Sequence, residues 1–318
     1  SGGVFSTTSG TSWGPKISEL PNDATYGGNT DNEYTQKFGK QQGKYYVPQR
    51  AAAGLDPWAT PQAYDNAKDF FDTGITWSNS LNVAQMLDKS SYSISLGNTH
   101  QDGIISSTGM DRYNVKVSAD TKLTNNWSSG FTANYITTSI DKAVTSGNGL
   151  LRTVYAAPPS YDLAGIPSHV DGNPYTQNSF RGSFDNAYWA MENNKFTEDT
   201  NRFFGNVYAS YQTDFGTTNH KLNAKYMVGV DAYTTHYVDS YGYGSNTGGG
   251  RGQIENYGWT NATYNSLLTI NYDWRINEDW GLNAVLGNEI IQSNRKKYYE
   301  YGTNYNFPGW NHINNATT

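Results

Sequence analysis

The sequence predicts an all-β chain, a transmembrane antiparallel β-barrel with short periplasmic turns and long extracellular loops. Three observations predict it. Eight segments alternate apolar and polar residues with a period of two, the pattern of a strand with two unlike faces. Several of them run about 11 residues, which at ~3.3 Å per residue and a tilt near 45° spans roughly 25 Å, the height of a barrel's apolar band. Soluble strands average about 5–6 residues. The joints between the segments alternate strictly between short and long. Successive antiparallel strands put every second joint on the same side, so short turns gather on one rim and long loops on the other. A soluble β-sandwich has no physical reason to keep that asymmetry.

Residues 1–73 are rich in Gly, Ser, Thr and Asn and read as an extracellular, irregular region. One short helix is expected at Gln62 to Asp72, where Tyr64, Ala67, Phe70 and Phe71 recur at helical spacing. Residues 74–292 carry the barrel strands. The first, 75–86, puts Ile75, Trp77, Leu81 and Val83 on one face; the second, 91–98, sets Tyr92, Ile94 and Leu96 against three serines. The third, 112–123, opposes Tyr113, Val115 and Val117 to Asn114, Lys116, Asp120 and Lys122; the fourth, 127–137, opposes Trp127, Phe131 and Tyr135 to Ser128 and Asn134. Then follow 203–213 (Val207, Ala209, Tyr211), 220–231 (Leu222, Tyr226, Val228), 263–276 (Leu268, Ile270, Tyr272, Trp274 against Asn271, Asp273 and Arg275) and 280–291 (Trp280, Leu282, Leu286). The short joints are Asp88-Lys89-Ser90, Thr124-Asn125-Asn126, Asp214 to Asn219, and Asn277-Glu278-Asp279. The long joints are expected over 99–111, 138–202 and 232–262, and 293–318 reads as the start of another outer loop.

Composition agrees with this reading. Of 318 residues, 16% are charged, 15% are aromatic and 26 are tyrosine, a ring that is apolar at its base and wet at its tip. Mean hydropathy is −0.72, and no run approaches the ~18–20 apolar residues of a spanning helix. In a barrel strand only alternate residues face lipid, so this does not exclude the membrane. The net charge of −6 and the lack of a basic stripe speak against a nucleic-acid partner. The absence of cysteine rules out disulfides and thiolate metal sites. The chain opens without an export signal and ends on a polar, loop-like tail, so an internal piece of a longer protein is expected.

Trp127, Phe215 and Trp280 sit at or beside short turns and are expected to form a membrane-interface girdle. The polar faces would line a wet lumen or contact a plug. Chemistry is sparse. The five histidines, at 100, 169, 220, 236 and 312, show no ligand spacing. There is no Gly-x-Ser-x-Gly elbow, and the glycine-rich run Gly242 to Gly252 lacks phosphate-loop spacing. Paired loop carboxylates for glycoside hydrolysis are a remote reading. No catalytic residue, metal or cofactor is expected. Tyr188, Trp189, Tyr241, Tyr243, Tyr257 and Trp259, in the expected loops, are candidate substrate contacts, since such rings stack on sugars or contact peptide.

Several stretches carry a family likeness. They are Asp65-Asn-Ala-Lys-Asp-Phe-Phe-Asp-Thr-Gly-Ile-Thr, Tyr92-Ser-Ile-Ser-Leu-Gly-Asn-Thr-His-Gln-Asp-Gly-Ile-Ile, and Gly109-Met-Asp-Arg-Tyr-Asn-Val-Lys-Val-Ser-Ala-Asp-Thr-Lys-Leu-Thr. Others are Arg152 to Pro159, Asn186-Ala-Tyr-Trp-Ala-Met-Glu-Asn-Asn, Asn201-Arg-Phe-Phe-Gly-Asn-Val and Leu282-Asn-Ala-Val-Leu-Gly-Asn-Glu-Ile. In this order, over roughly 10–292, the chain resembles the SusC/RagA group of TonB-dependent outer-membrane transporters of Bacteroidetes. The resemblance implies part of a 22-stranded plugged barrel. It further implies import of oligosaccharides or peptides across the bacterial outer membrane. Its expected partners are a SusD-like surface lipoprotein, TonB (through a segment outside this chain) and membrane lipid. The residues themselves leave two other readings open: a passive porin or adhesin, and a soluble or surface-exposed all-β glycan-binding protein.

Overall fold

The computed structural model describes residues 14–144 and 149–317. Eight antiparallel strands form one sheet in which every strand neighbours the next in sequence: β1 (Thr76–Met86), β2 (Ser90–Asp102), β3 (Gly109–Lys122), β4 (Trp127–Asp141), β5 (Lys195–Thr213), β6 (His220–Tyr241), β7 (Gln253–Arg275) and β8 (Gly281–Thr303). All seven pairings run without a register shift. Within this chain β1 and β8 each pair on one side only.

The registers carry the two faces across the whole sheet. One row reads Tyr92, Ala119, Phe131, Val207, Val228, Ser266, Ile290. Another reads Leu81, Leu96, Val115, Tyr135, Phe203, Ala232, Ala262, Asn294. The adjacent row on the opposite face is Ser95, Lys116, Asn134, Phe204, Asp231, Thr263, Ser293. Leu81, Val83, Ile94, Leu96, Phe131, Val207, Val228 and Ile290 are all at least 40% exposed. At ~4.8 Å between strands and ~3.3 Å per residue, a band eight strands wide and about 11 residues tall covers on the order of 1,000 Å². Soluble monomers rarely expose more than a few hundred. Hydrocarbon also demands that backbone groups pair strand to strand, which the unbroken ladder does. The fold is that of a transmembrane antiparallel β-barrel wall.

The turn rim is made by local side-chain capping. Leu123 and Thr124 donate their backbone N–H to the Trp127 carbonyl, while the Thr124 hydroxyl accepts from Trp127 N–H at 3.0 Å. Ile276 and Asn277 repeat this on Trp280, with the Asn277 amide oxygen accepting at 2.8 Å. At the third turn Phe215 and Gly216 both have positive φ, and Asp214 accepts from Gly216 N–H. Such Asx and hydroxyl turns are how Asn, Asp and Thr specify tight connections.

The loop rim differs from the expectation. The strands continue well past the predicted ends, so the joints shrink to 103–108, 142–194 and 242–252, and β8 runs ten residues beyond Ser293. The reason is a change of surroundings. Beyond the apolar band the next row on that face is Asn79, Asn98, Tyr113, Thr137, Asn201, Thr234, Thr260, Lys296. Both faces are now polar, the period-two contrast disappears, and only the Tyr, Thr and Trp preference for strands remains.

The hydrophobic core lies outside the sheet. Residues 14–73 and 149–194 together build a cap at the loop rim. Its helices are α1 (Glu33–Phe38), α2 (Pro48–Ala52), α3 (Asn66–Phe70), α4 (Leu150–Ala156) and α5 (Ala187–Asn193). The expected helix at Gln62 to Asp72 is thus present as α3, and the segment before it is more ordered than an irregular loop. Leu20, Tyr45, Val47 and Phe70 pack with Leu150, Val154, Tyr161, Leu163, Phe180 and Trp189. Ile105, from the 103–108 loop, ties this core to the wall.

Candidate functional site

Residues two apart on a strand share a face. At the loop rim this rule gathers aromatic and charged side chains on the polar face. Tyr237 lies opposite Tyr257 and Glu198, Tyr257 opposite Tyr299, Thr235 opposite Trp259, and Asp239 opposite Glu255 and Phe196. The Tyr237 and Tyr257 rings stack at 4.8 Å and 7°, Trp259 meets Tyr237 at 5.4 Å, and Tyr299 meets Tyr257 at 6.5 Å.

Charges bracket these rings. Lys142 Nζ sits 4.6 Å over Tyr237 and 3.5 Å from Glu198. The Arg295 guanidinium sits 4.9 Å over Trp259. The Tyr257 hydroxyl donates to Asp239 Oδ2 at 3.0 Å. Burial first, and that carboxylate second, push the Tyr257 phenol up to about 12, so it stays a neutral donor. Burial, together with Glu198, also raises Tyr237. The Trp259 indole nitrogen and Asp239 Oδ1 are buried without a partner among the described residues. Exposed cation–π contacts and half-exposed ion pairs contribute about 0.5–1 kcal/mol each, so the lysine and arginine are held loosely. The arrangement offers ring faces and hydrogen-bond donors to a passing molecule. Among the described residues no group of three His, Cys, Asp or Glu side chains is placed to hold a metal ion.

Of the residues singled out in the sequence, Tyr257 and Trp259 belong to this cluster. Tyr241 is on the same face, edge-on to Phe196 at 5.2 Å, and lines a cavity of about 600 Å³ with Ile105, Lys142 and Asp239. Tyr243 lies just past the end of β6, half-buried. Tyr188, on α5, turns its ring edge to Phe70 at 5.3 Å and its hydroxyl to the Asp69 carbonyl, and burial raises its pKa. Trp189 needs correction as a stacking face. It is fully buried and donates to the Pro174 carbonyl at 2.9 Å. Gly244, at φ +101°, packs beside it: a Cβ there would collide with the Tyr175 carbonyl and press on the Trp189 ring at 3.2 Å. Trp189 is therefore a pillar of the cap, because its helix turns it inward rather than to the mouth. Tyr237, Tyr299, Lys142, Asp239 and Arg295 were missed. Continuing the strand parity past the apolar band would have found all but Lys142.

Trp127, Phe215 and Trp280 stand at the turn rim, 46%, 58% and 70% exposed. Trp127 packs on Tyr211 at 5.0 Å. Deeper on the polar face is a cavity of about 520 Å³ lined by Lys116, Asn134, Asp231, Asn265 and Glu289. Arg202 donates twice to Asp231, at 2.9 and 2.6 Å, and Tyr208 donates to Asp120 at 2.6 Å.

No protein-family model and no curated protein matches the chain. Solved structures do. The RagAB peptide importer in its closed-closed state superposes with a TM-score of 0.64 at 16% identity, over 81% of this chain and 28% of that one. The same importer in its open-open state gives 0.62 and the RagAB peptide transporter 0.61, both at 16% identity, over 81% and 80% of this chain. The chain thus spans little more than a quarter of the structures it matches. At this identity the likeness is one of fold alone, that of the eight-stranded antiparallel wall.

Proposed function

We propose that this chain is the early-to-middle barrel wall of a SusC/RagA-type importer in the bacterial outer membrane. In this reading the apolar band faces lipid, the turn rim faces the periplasm, and Trp127, Phe215 and Trp280 anchor that boundary. The loop rim and its cap form the outer mouth, where a SusD-like lipoprotein docks. An oligosaccharide or peptide enters past Tyr237, Tyr257 and Trp259, and TonB, acting through a segment outside these residues, powers its passage.

One observation carries this reading: the aromatic and charged cluster lies on the face opposite the lipid band, at the end where the wall rises above it. A soluble glycan-binding protein would not carry so large an exposed apolar surface. The test uses the full-length protein in its own membrane. Replacing Tyr257 and Trp259 together with Ala should lower uptake of a labelled peptide or oligosaccharide at least tenfold, since each lost stacking contact costs about 1 kcal/mol or more. Protein abundance in the outer-membrane fraction should not change. Unchanged uptake would remove the cluster from the transport path. Uptake that persists when the proton-motive force is collapsed would instead indicate a passive pore.

A further inference from the structure

Four exposed rings, all on strands paired on both sides, descend across the apolar face of the wall: Tyr113 on β3, Tyr135 on β4, Phe203 on β5 and Tyr264 on β7. Each is between 44% and 53% exposed. Tyr135 and Phe203 are direct ladder partners. The register row of Tyr113 runs through Thr137, Asn201 and Thr234 to Thr260, so Tyr264 stands four residues nearer the turn rim than Tyr113 does. Four residues at ~3.3 Å each, over four inter-strand steps of ~4.8 Å, incline this line of rings by roughly 35° to the rows. Strands of membrane barrels tilt from the barrel axis by about 35–45°, so a plane parallel to the bilayer crosses the rows at that angle. Trp77 on β1 falls on the same line, since its row reaches Gly258, six residues from Tyr264, over six strand steps.

Polarity changes at the line. Two residues outward on the same face stand Asp111, Thr137 and Asn201, and four beyond Tyr264 stands Thr260. Two residues inward from Tyr113 and Tyr135 stand Val115 and Ala133. The Tyr135 hydroxyl reaches outward and donates to Asn201 Oδ1 at 3.0 Å. Along β4, eight residues separate Tyr135 from Trp127 at the turn rim; along β7, ten separate Tyr264 from Trp274 on the same face. At an inclination of roughly 35° those lengths rise ~22 and ~27 Å, the height of a barrel's apolar band, which aromatic rings flank at both interfaces.

Building on the membrane placement above, we propose that Tyr113, Tyr135, Phe203 and Tyr264 form the second girdle, seated at the acyl–headgroup boundary of the outer leaflet, and that this boundary crosses the wall obliquely. Rings with an apolar body and a wet tip prefer that boundary. The oblique crossing makes the rim uneven. Above Tyr113, β3 continues for four residues, and above Tyr264, β7 continues for eleven, rises of about 11 and about 30 Å at the same inclination. The Tyr257 and Trp259 cluster therefore stands on the high side, clear of the bilayer, while the joint between β2 and β3 lies close to the headgroups.

The experiment places single spin labels on the full-length protein in phosphatidylcholine vesicles and reads their depth from collision with oxygen, which favours lipid, and with a water-soluble nickel complex. The labels go on the outer face by Val207→Cys, Asn98→Cys and Thr260→Cys. Asn98 and Thr260 share one register row, five strand steps apart. The label at 207 should lie in lipid, that at 98 at the boundary, and that at 260 in water, about 14 Å higher than 98. Y113L/F203L/Y264L should lower the urea midpoint for folding into the vesicles, whereas F131L, midway between Trp127 and Tyr135, should leave it unchanged. Equal depth at 98 and 260, with 207 in lipid, overturns the oblique boundary and leaves the membrane wall standing. An unchanged midpoint for Y113L/F203L/Y264L overturns the girdle. A label in water at 207 overturns the membrane placement itself.

Discussion

The wall and the cap solve opposite problems with similar residues. The wall leaves Leu81, Val83, Val207 and Ile290 more than half exposed, yet its backbone ladder is unbroken. The cap buries Leu20, Leu163, Val154 and Trp189 to 2% or less. Burying one such side chain is worth ~1.5–3 kcal/mol whichever apolar medium receives it. The cap supplies that medium from its own chain; the wall takes it from lipid. The difference teaches that exposure alone marks no defect here. It marks which solvent each surface was built for.

The largest expected effect tests whether the cap is a core in its own right. Trp189→Ala removes the biggest fully buried side chain and its bond to Pro174, at a cost of about 3–5 kcal/mol. Limited proteolysis of the full-length protein in detergent should then cut within 149–194 far faster, while the barrel keeps its heat-modifiable mobility on gels. Simultaneous loss of both would show one cooperative unit and break the comparison.

A slightly smaller effect tests the wall. Val207→Arg, in the middle of the apolar band, should cost about 2–4 kcal/mol, as a charge does near the bilayer midplane. Asn206→Arg, one residue along and on the opposite face, should cost much less. Refolding titrations into lipid vesicles measure both. Equal costs would mean that the two faces are not distinguished by lipid and water.

The two regions were also unequally legible in the sequence. The wall's strands show through wherever one face meets lipid and the other water, because that contrast writes a period of two into Tyr92 to Leu96 or Leu222 to Ala232. Above the band the contrast ends, and the outer ten or eleven residues of β6, β7 and β8 read as loop. Tyr257 and Trp259 were singled out by residue type, but their partners Tyr237 and Arg295 needed the register. The cap was hidden for a different reason. Its contacts join distant segments: Tyr45 to Ser160, Asn66 to Pro158 and Leu163, Asn178 to Gln49. Short helices held by such long-range bonds leave no local periodicity, which is why Trp189 was mistaken for a mouth residue.

The smallest effect separates the regions by pH. Tyr45 is buried in the cap, where its hydroxyl donates to the Ser160 carbonyl at 2.7 Å, and burial pushes its pKa from 10 up to about 12. A raised phenol means that the folded state holds its proton more tightly than the unfolded chain. That contribution is complete below pH 10 and is lost as pH rises from 10 towards 12. The cap should therefore loosen in this window, read as faster proteolysis within 149–194. Tyr45→Phe should lower cap stability by about 1 kcal/mol at neutral pH, leaving the Ser160 carbonyl without its donor. It should also flatten the alkaline slope. The apolar band of the wall offers no comparable buried phenol bonded into a protein core, so its heat-modifiability should hold through the same range. If Tyr45→Phe leaves the slope unchanged, the alkaline loosening belongs to another phenol of the cap, with Tyr161, buried in the same core and raised by that burial, the next to test by Tyr161→Phe.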